Sequence, residues 1–195
     1  GLQRMLDAGI CVEGPTHPLL ADAINPGFIK RMKQGLPWVR CKLAMSLDGR
    51  TAMASGESKW ITSAEARADV QRLRAASCAI MTGINTVLTD NPSMRVRPEQ
   101  LVTGSMIVDT NRQPLRVVLD AALRTPADAA ILGEPGQTLI MSSAQALASN
   151  PAKYANAHTR VEAVALAENG KLDLHAALQS LAQNQDRKST RLNSS

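Results

Sequence analysis

The run C-A-I-M-T-G, residues 78–83, decides how the rest of the chain is read. It is apolar without alternation and too short for a buried helix. A run of that kind ending at glycine predicts a central strand of a parallel sheet, covered on both faces. Upstream, Thr62-Ser63-Ala64-Glu65 has the form of a capping box, and Ala66, Val70, Leu73 and Ala76 recur at helical spacing, which predicts a helix over 63–76. Downstream, 115–119, 138–141 and 161–167 read as further strands between loops bearing Pro and Gly, and 172–181 as an amphipathic helix. Before the capped helix, Val39, Cys41, Leu43 and Met45 alternate, predicting a strand with one better-buried face. Strands alternating with helices predict an α/β layered sheet with right-handed crossovers.

The ends of the chain have a different character. Leu2, Met5 and Leu6 share a helical face before Gly9, and Ile10-Cys11-Val12 reads as a short buried strand. A helix-like segment over 18–35 is interrupted at Asn25-Pro26-Gly27, and Gly35-Leu36-Pro37 marks a boundary. After Gln183 the apolar rhythm stops, so 184–195 reads as a disordered or non-native polar end. The expected segments are therefore 1–36, 37–183 and 184–195.

With 195 residues and 44% apolar content, the chain is long enough for one real core. Cys11, Cys41 and Cys78 are odd in number and too dispersed for a disulfide framework or a C-x-x-C half-site, which points to a reducing compartment, the cytoplasm. No run approaches the roughly 18 apolar residues of a membrane span, and no signal-peptide order is present. The net charge is +5, and Arg187, Lys188 and Arg191 against Asp186 place +2 of it on the last ten residues. Aromatic residues are 2% of the chain, too sparse for base-stacking platforms, so nucleic acid is not the expected partner. A phosphorylated small molecule suits a mildly basic surface. No G-x-G-x-x-G, P-loop, G-x-S-x-G or zinc-deaminase motif occurs, and His17, His158 and His175 lack partners at metal-ligand spacing.

Open α/β sheets bind ligands at the carboxyl ends of their strands. Three segments fall there: 46–50 leading into 56–62, then 83–92, then 120–125. Each also has a plainer reading. Asp48-Gly49 and Asn91-Pro92 are ordinary turns, Thr62 and Ser63 are caps, Trp60 is a core residue, and Arg72, Arg74, Arg95 and Arg97 are surface or strand-edge charges. The residues by themselves predict an α/β domain for an anionic ligand.

K-L-A-M-S-L-D-G-R-T-A (42–52), S-G-E-S-K-W-I-T (55–62), A-R-A-D-V-Q-R-L-R-A-A-S (66–77) and T-V-L-T-D-N-P (86–92) stand in one order over some sixty residues. Together they resemble the reductase domain of the bifunctional riboflavin-biosynthesis deaminase/reductase, and residues 1–36 resemble the junction after its deaminase domain. The resemblance implies a dihydrofolate-reductase-like, mostly parallel sheet. It implies an NADPH-dependent reduction of the ribosyl group of 5-amino-6-(5-phosphoribosylamino)uracil to the ribityl form. It implies that Ser58, Arg74, Met94 and Arg97 contact this phosphorylated pyrimidine, that Ala44, Trp60, Thr86 and Asp90 line the NADPH site, and that Lys42 orients or polarises the substrate. Asp48 would shape its loop. Zinc would belong only to the deaminase domain, and the full-length parent would be a homo-oligomer. Two departures stand out: Asn91 and Ala121 occupy positions where the family often has Asp and Ser. The family's later Glu-Gly-rich segment is not found, so the domain is expected to lack its last strands and the chain to turn over poorly. The alternatives are another dihydrofolate-reductase-like oxidoreductase and a non-catalytic basic α/β module for nucleotides or nucleic acid.

Overall fold

The computed structural model describes residues 2–14, 17, 20, 23–56, 61–101, 112–150, 154 and 158–184. The chain divides into two compact units, Gly1–Arg40 with Leu178–Ser195, and Cys41–Ala177.

In the first unit, α1 (Leu2–Asp7) ends ahead of Gly9, whose φ is +74°. Helix α2 (Pro26–Gln34) starts at the Asn-Pro-Gly that the sequence reading took for an interruption. Asn25 accepts a hydrogen bond from the Phe28 amide, Pro26 presets the first turn, and Gly35 closes the helix in the left-handed conformation. Residues 10–12 form no strand, and Ile10 is 54% exposed. No strand among the described residues lies beside this three-residue run to complete its hydrogen bonds.

The second unit is built on a sheet of four parallel strands in sequential order: β1 (Ala79–Gly83), β2 (Leu115–Leu119), β3 (Thr138–Ser142) and β4 (Thr159–Ala163). Helix α3 (Ala64–Ala75) precedes β1, with α4 (Ile84–Asp90), α5 (Ala130–Gly133) and α6 (Ala144–Ser149) between the strands; α7 (Leu174–Asn184) follows β4 in sequence and begins in this unit, with its residues from Leu178 on counted in the first. This is the predicted α/β fold, and every ladder between the described strands is parallel. Four elements differ from the sequence reading. The strand at 78–83 is half-buried and, among the described residues, outermost of the four rather than central, with a ladder to β2 alone. The last strand begins at Thr159, two residues early, because Thr138 pairs with Thr159, and Leu166 instead closes an antiparallel bridge to Leu172. The cap of α3 is Ser63, accepting from the Ala66 amide, with Glu65 held by Ser63 and its own amide rather than by Thr62. Finally, 39–45 pairs with no described strand, and Val39, Leu43 and Met45 are 54%, 63% and 45% exposed. Alternation marks a face that a strand can bury, but a ladder partner must be there to make it one.

The core lies on both faces of β2 and β3, where Val117, Val118, Leu139, Ile140 and Met141 are fully buried. Each such side chain contributes about 1.5–3 kcal/mol relative to exposure. Val118 and Ile140 pack with Val87 of α4, Ile131 and Leu132 of α5, and Tyr154. Arg116, in β2, is also fully buried. Its guanidinium donates to Thr138 Oγ1 (3.1 Å) and to the carbonyls of Glu134 (2.8 Å), Pro135 (2.6 Å) and Gly136 (3.2 Å). It thereby fixes the chain leaving α5. Gly136 has φ +97°, and a Cβ there would stand 2.9 Å from Cβ of Gln113, so only glycine fits this passage.

Candidate functional site

At the carboxyl end of β1 the segment read as a loop is helical. Gly83 is its extended N-cap, Val87 is buried, and Ile84 packs against the same core. The apolar spacing 84, 87, 88 is that of one helical face, which the sequence reading passed over. Thr86 and Asp90 lie one turn apart on the exposed side of α4. Asn91 ends the helix at φ +41°, and its Oδ1 accepts from the Ala130 amide at 2.8 Å. Because Ala129 has no capping side chain, this asparagine caps α5 from outside, and α4 and α5 are tied at the residue after Asp90.

At the end of β2, Asp120 is fully buried. Its Oδ2 accepts from the Thr125 amide at 2.7 Å and from Thr125 Oγ1 at 2.8 Å, which closes the 120–125 loop. Tyr154 donates to the Thr125 carbonyl at 2.6 Å, and Arg124 reaches Asn85 Oδ1 at 3.1 Å. Beyond the ends of β2 and β3 lies a crevice of 430 Å³, lined by Ala121, Ala122, Ser143, Gln145 and Ala146 among others. Its lining mixes small apolar residues with the polar side chains of Ser143, Gln145, Ser149 and Asn150.

The tyrosine provides a direct test of this loop. Burial first, then the Asp120 carboxylate, push its pKa up to about 12 against the opposing Thr125 hydrogen bond. A raised folded-state pKa favours the neutral phenol in the fold, so this stabilisation is complete below about pH 10 and is lost as pH rises towards 12. Tyr154 is the only tyrosine in the chain, so tyrosinate absorbance reports it alone. Its midpoint is expected near 12 in the folded chain and near about 10 in denaturant. Tyr154→Phe should abolish the signal and destabilise by about 1 kcal/mol at neutral pH. A folded midpoint equal to the denatured one would contradict the buried network.

The arginines sort into two kinds. Arg72 is exposed and paired with Asp69 at 2.7 Å, and Arg95 is paired with Glu99 and Glu134, both at 3.6 Å. Arg74 is half-buried, donates to the Arg95 carbonyl at 3.3 Å, and lies beside Arg97. Burial first, and then the Arg97 charge, pull Arg74 below the usual arginine value. Arg74 nonetheless remains protonated at neutral pH. Neither Arg74 nor Arg97 has a carboxylate partner among the described residues. Met94, at φ +54°, packs on the core cluster within the same strut.

Thus Arg74 and Arg97 come together, as do Thr86 and Asp90, while Met94, three residues before Arg97, packs on the core cluster. Lys42 and Ala44 lie two residues apart on the extended 39–45 segment, and Lys42 makes no ion pair with a described residue. Ser58 and Trp60 lie outside the described residues. Asp48 is taken up in its own turn: Ser46 Oγ donates to it at 2.5 Å and Arg50 Nε at 3.1 Å, and these bonds, Ser46 first, hold it below the usual carboxylate range. The contributions of Asn91, Gln71 and Gln113 were not legible, because an amide reaching a distant backbone leaves no local spacing signal. Among the described residues no group of three or more His, Cys, Asp or Glu is placed to hold a metal ion, and no helix is long and apolar enough to cross a membrane.

The described strands thus form a parallel α/β domain with a crevice at its strand ends and two neighbouring arginines that have no carboxylate partner among the described residues. The RibD C-terminal domain model matches residues 37–190, and the chain belongs to this family. The riboflavin biosynthesis protein RibD of Escherichia coli is 48% identical over 141 residues, 71% of this chain and 38% of that protein. The RibD of Haemophilus influenzae is 53% identical over 130 residues, 64% of this chain and 34% of that protein. Among solved structures, Acinetobacter baumannii RibD superposes with TM-score 0.72 at 40% identity, covering 94% of this chain and 47% of that one. A diaminohydroxyphosphoribosylaminopyrimidine deaminase/5-amino-6-(5-phosphoribosylamino)uracil reductase of Thermotoga maritima gives 0.69 at 25% identity, covering 94% and 46%. The chain therefore spans less than half the length of these relatives.

Proposed function

We propose that this chain is the reductase part of a riboflavin-biosynthesis enzyme, reducing the ribosyl group of 5-amino-6-(5-phosphoribosylamino)uracil to the ribityl form with NADPH. The arginine pair carries this reading. Two half-buried guanidinium groups that repel each other in the free protein match a phosphate, whose charge turns the repulsion into attraction on both sides. Arg74 and Arg97 are assigned to the substrate phosphate, and Met94 and Ser58, on the resemblance, to other contacts with the substrate. Thr86, Asp90, Ala44 and Trp60 are assigned to the cofactor on the family resemblance; the crevice at the strand ends, lined by other residues, is a separate place where part of the cofactor would fit. Bound NADPH would supply hydride to the open-chain sugar carbon. The chain's part is to orient that carbon: Lys42 polarises or aligns the substrate, while the arginines anchor its far end, so that reaction is favoured by position. The full-length protein is assigned to the cytoplasm, as a homo-oligomer.

The test is NADPH oxidation with the phosphoribosylaminouracil, measured on the 195-residue chain and on the chain extended to the length of its relatives. Substrate-dependent oxidation by the extended form is expected, with weaker activity from the shorter one. Salt-sensitive oligonucleotide binding with indifference to NADPH and substrate would sink the assignment.

A further inference from the structure

We propose that Gln71 and Gln113 are positioning residues whose amides hold the backbone at Val96 and Arg97, and so set Arg97 against Arg74. The inference rests on the reading of that arginine pair as the phosphate site. Residues 91–97 belong to no helix or strand, yet Val96 is fully buried, so its backbone groups need partners. Gln113 supplies both: its Oε1 accepts from the Val96 amide at 2.9 Å and its Nε2 donates to the Val96 carbonyl at 3.2 Å. One side chain thus reproduces the paired exchange of a β-ladder. Gln71, 5% exposed, accepts from the Arg97 amide at 3.2 Å and donates to Gln100 Oε1 at 3.3 Å.

The placement explains why amides are used here. Gln71 sits in α3 one turn before Arg74, so the helix that carries one arginine also grips the backbone of the other. Arg74 and Arg97 repel each other, and a strut held by nothing else would relieve that repulsion by swinging Arg97 into water. A neutral amide resists this without adding a carboxylate that would compete with the ligand's phosphate. Gly136 supports the same arrangement from behind, since any side chain there would strike Gln113.

The experiment compares Gln113→Leu and Gln71→Leu with the parent chain, measuring affinity for the phosphorylated substrate and for NADPH, and hydrogen exchange at Val96 and Arg97. Substrate affinity is expected to fall about tenfold, equivalent to about 1.4 kcal/mol, with NADPH affinity unchanged. Gln113→Glu adds a pH readout: once protonated, the acid can again donate to the Val96 carbonyl, so its substrate affinity relative to the parent should recover as pH falls. Unchanged substrate affinity overturns the proposal, and so does an equal loss of both affinities. If the parent chain binds neither ligand, the functional reading fails separately. The clamp then stands on faster exchange at Val96 and Arg97 with β2–β4 still protected, and falls if that exchange is unchanged.

Discussion

Arg97→Gln is expected to weaken binding of the phosphorylated substrate about a hundredfold, the range for losing a charge-assisted contact to phosphate. It is expected to leave the melting temperature unchanged or raised. The second half follows from the free protein: Arg97 bears on a half-buried Arg74 with no carboxylate between them, so neutralising one relieves the other. The backbone of residue 97 remains held by Gln71, so the strut itself is not released. A loss of function with a gain of stability is the mark of a group placed for a ligand rather than for the fold. Arg72→Gln is the control, because this exposed arginine two residues from Arg74 is paired with Asp69 and should change neither quantity. Calorimetric titration and thermal melting decide the matter. Unchanged substrate affinity in Arg97→Gln would remove the arginine pair from the site.

Arg116→Met should destabilise the fold by about 3–5 kcal/mol. The methionine can fill much of the apolar volume, but Thr138 and the carbonyls of residues 134–136 lose a donor together. Against a typical total of about 5–15 kcal/mol, that leaves a domain on the edge of unfolding. Denaturant titration should show the midpoint falling with little change in slope. A change below about 1 kcal/mol would mean that water or backbone movement replaces the guanidinium.

These two arginines also show what could be read from the chain. In sequence, Arg116 interrupts an apolar strand and Arg97 follows a proline turn, and neither position says which is structural. Strands β2 and β3 were legible because residues buried on both faces are apolar throughout. The α/β order was legible from Ser63, whose hydroxyl marks where α3 starts. Residues 39–45 misled because alternation records which side chains could share a face, not whether a neighbour is there to bond the backbone. Residues 83–92 misled because the Gly and the Asn-Pro at its ends are turn signals, while the helix between them rests on few apolar positions, with Val87 alone fully buried. Of the site, Arg74 and Arg97 were named through family resemblance. The amides bonded to the backbone at Val96 and Arg97 were not, since their partners lie 17 and 26 residues away and are backbone groups, which every residue has.

The sequential order of β1 to β4 bears on how the domain is made. As the chain leaves the ribosome, each described strand meets an edge that has already been laid down, and none must be threaded between two that have paired. Assembly can follow synthesis, with the growing edge moving outward from β1 to β4. The Asn91 clasp, formed once Ala130 emerges, would lock the first crossover before β3 is complete.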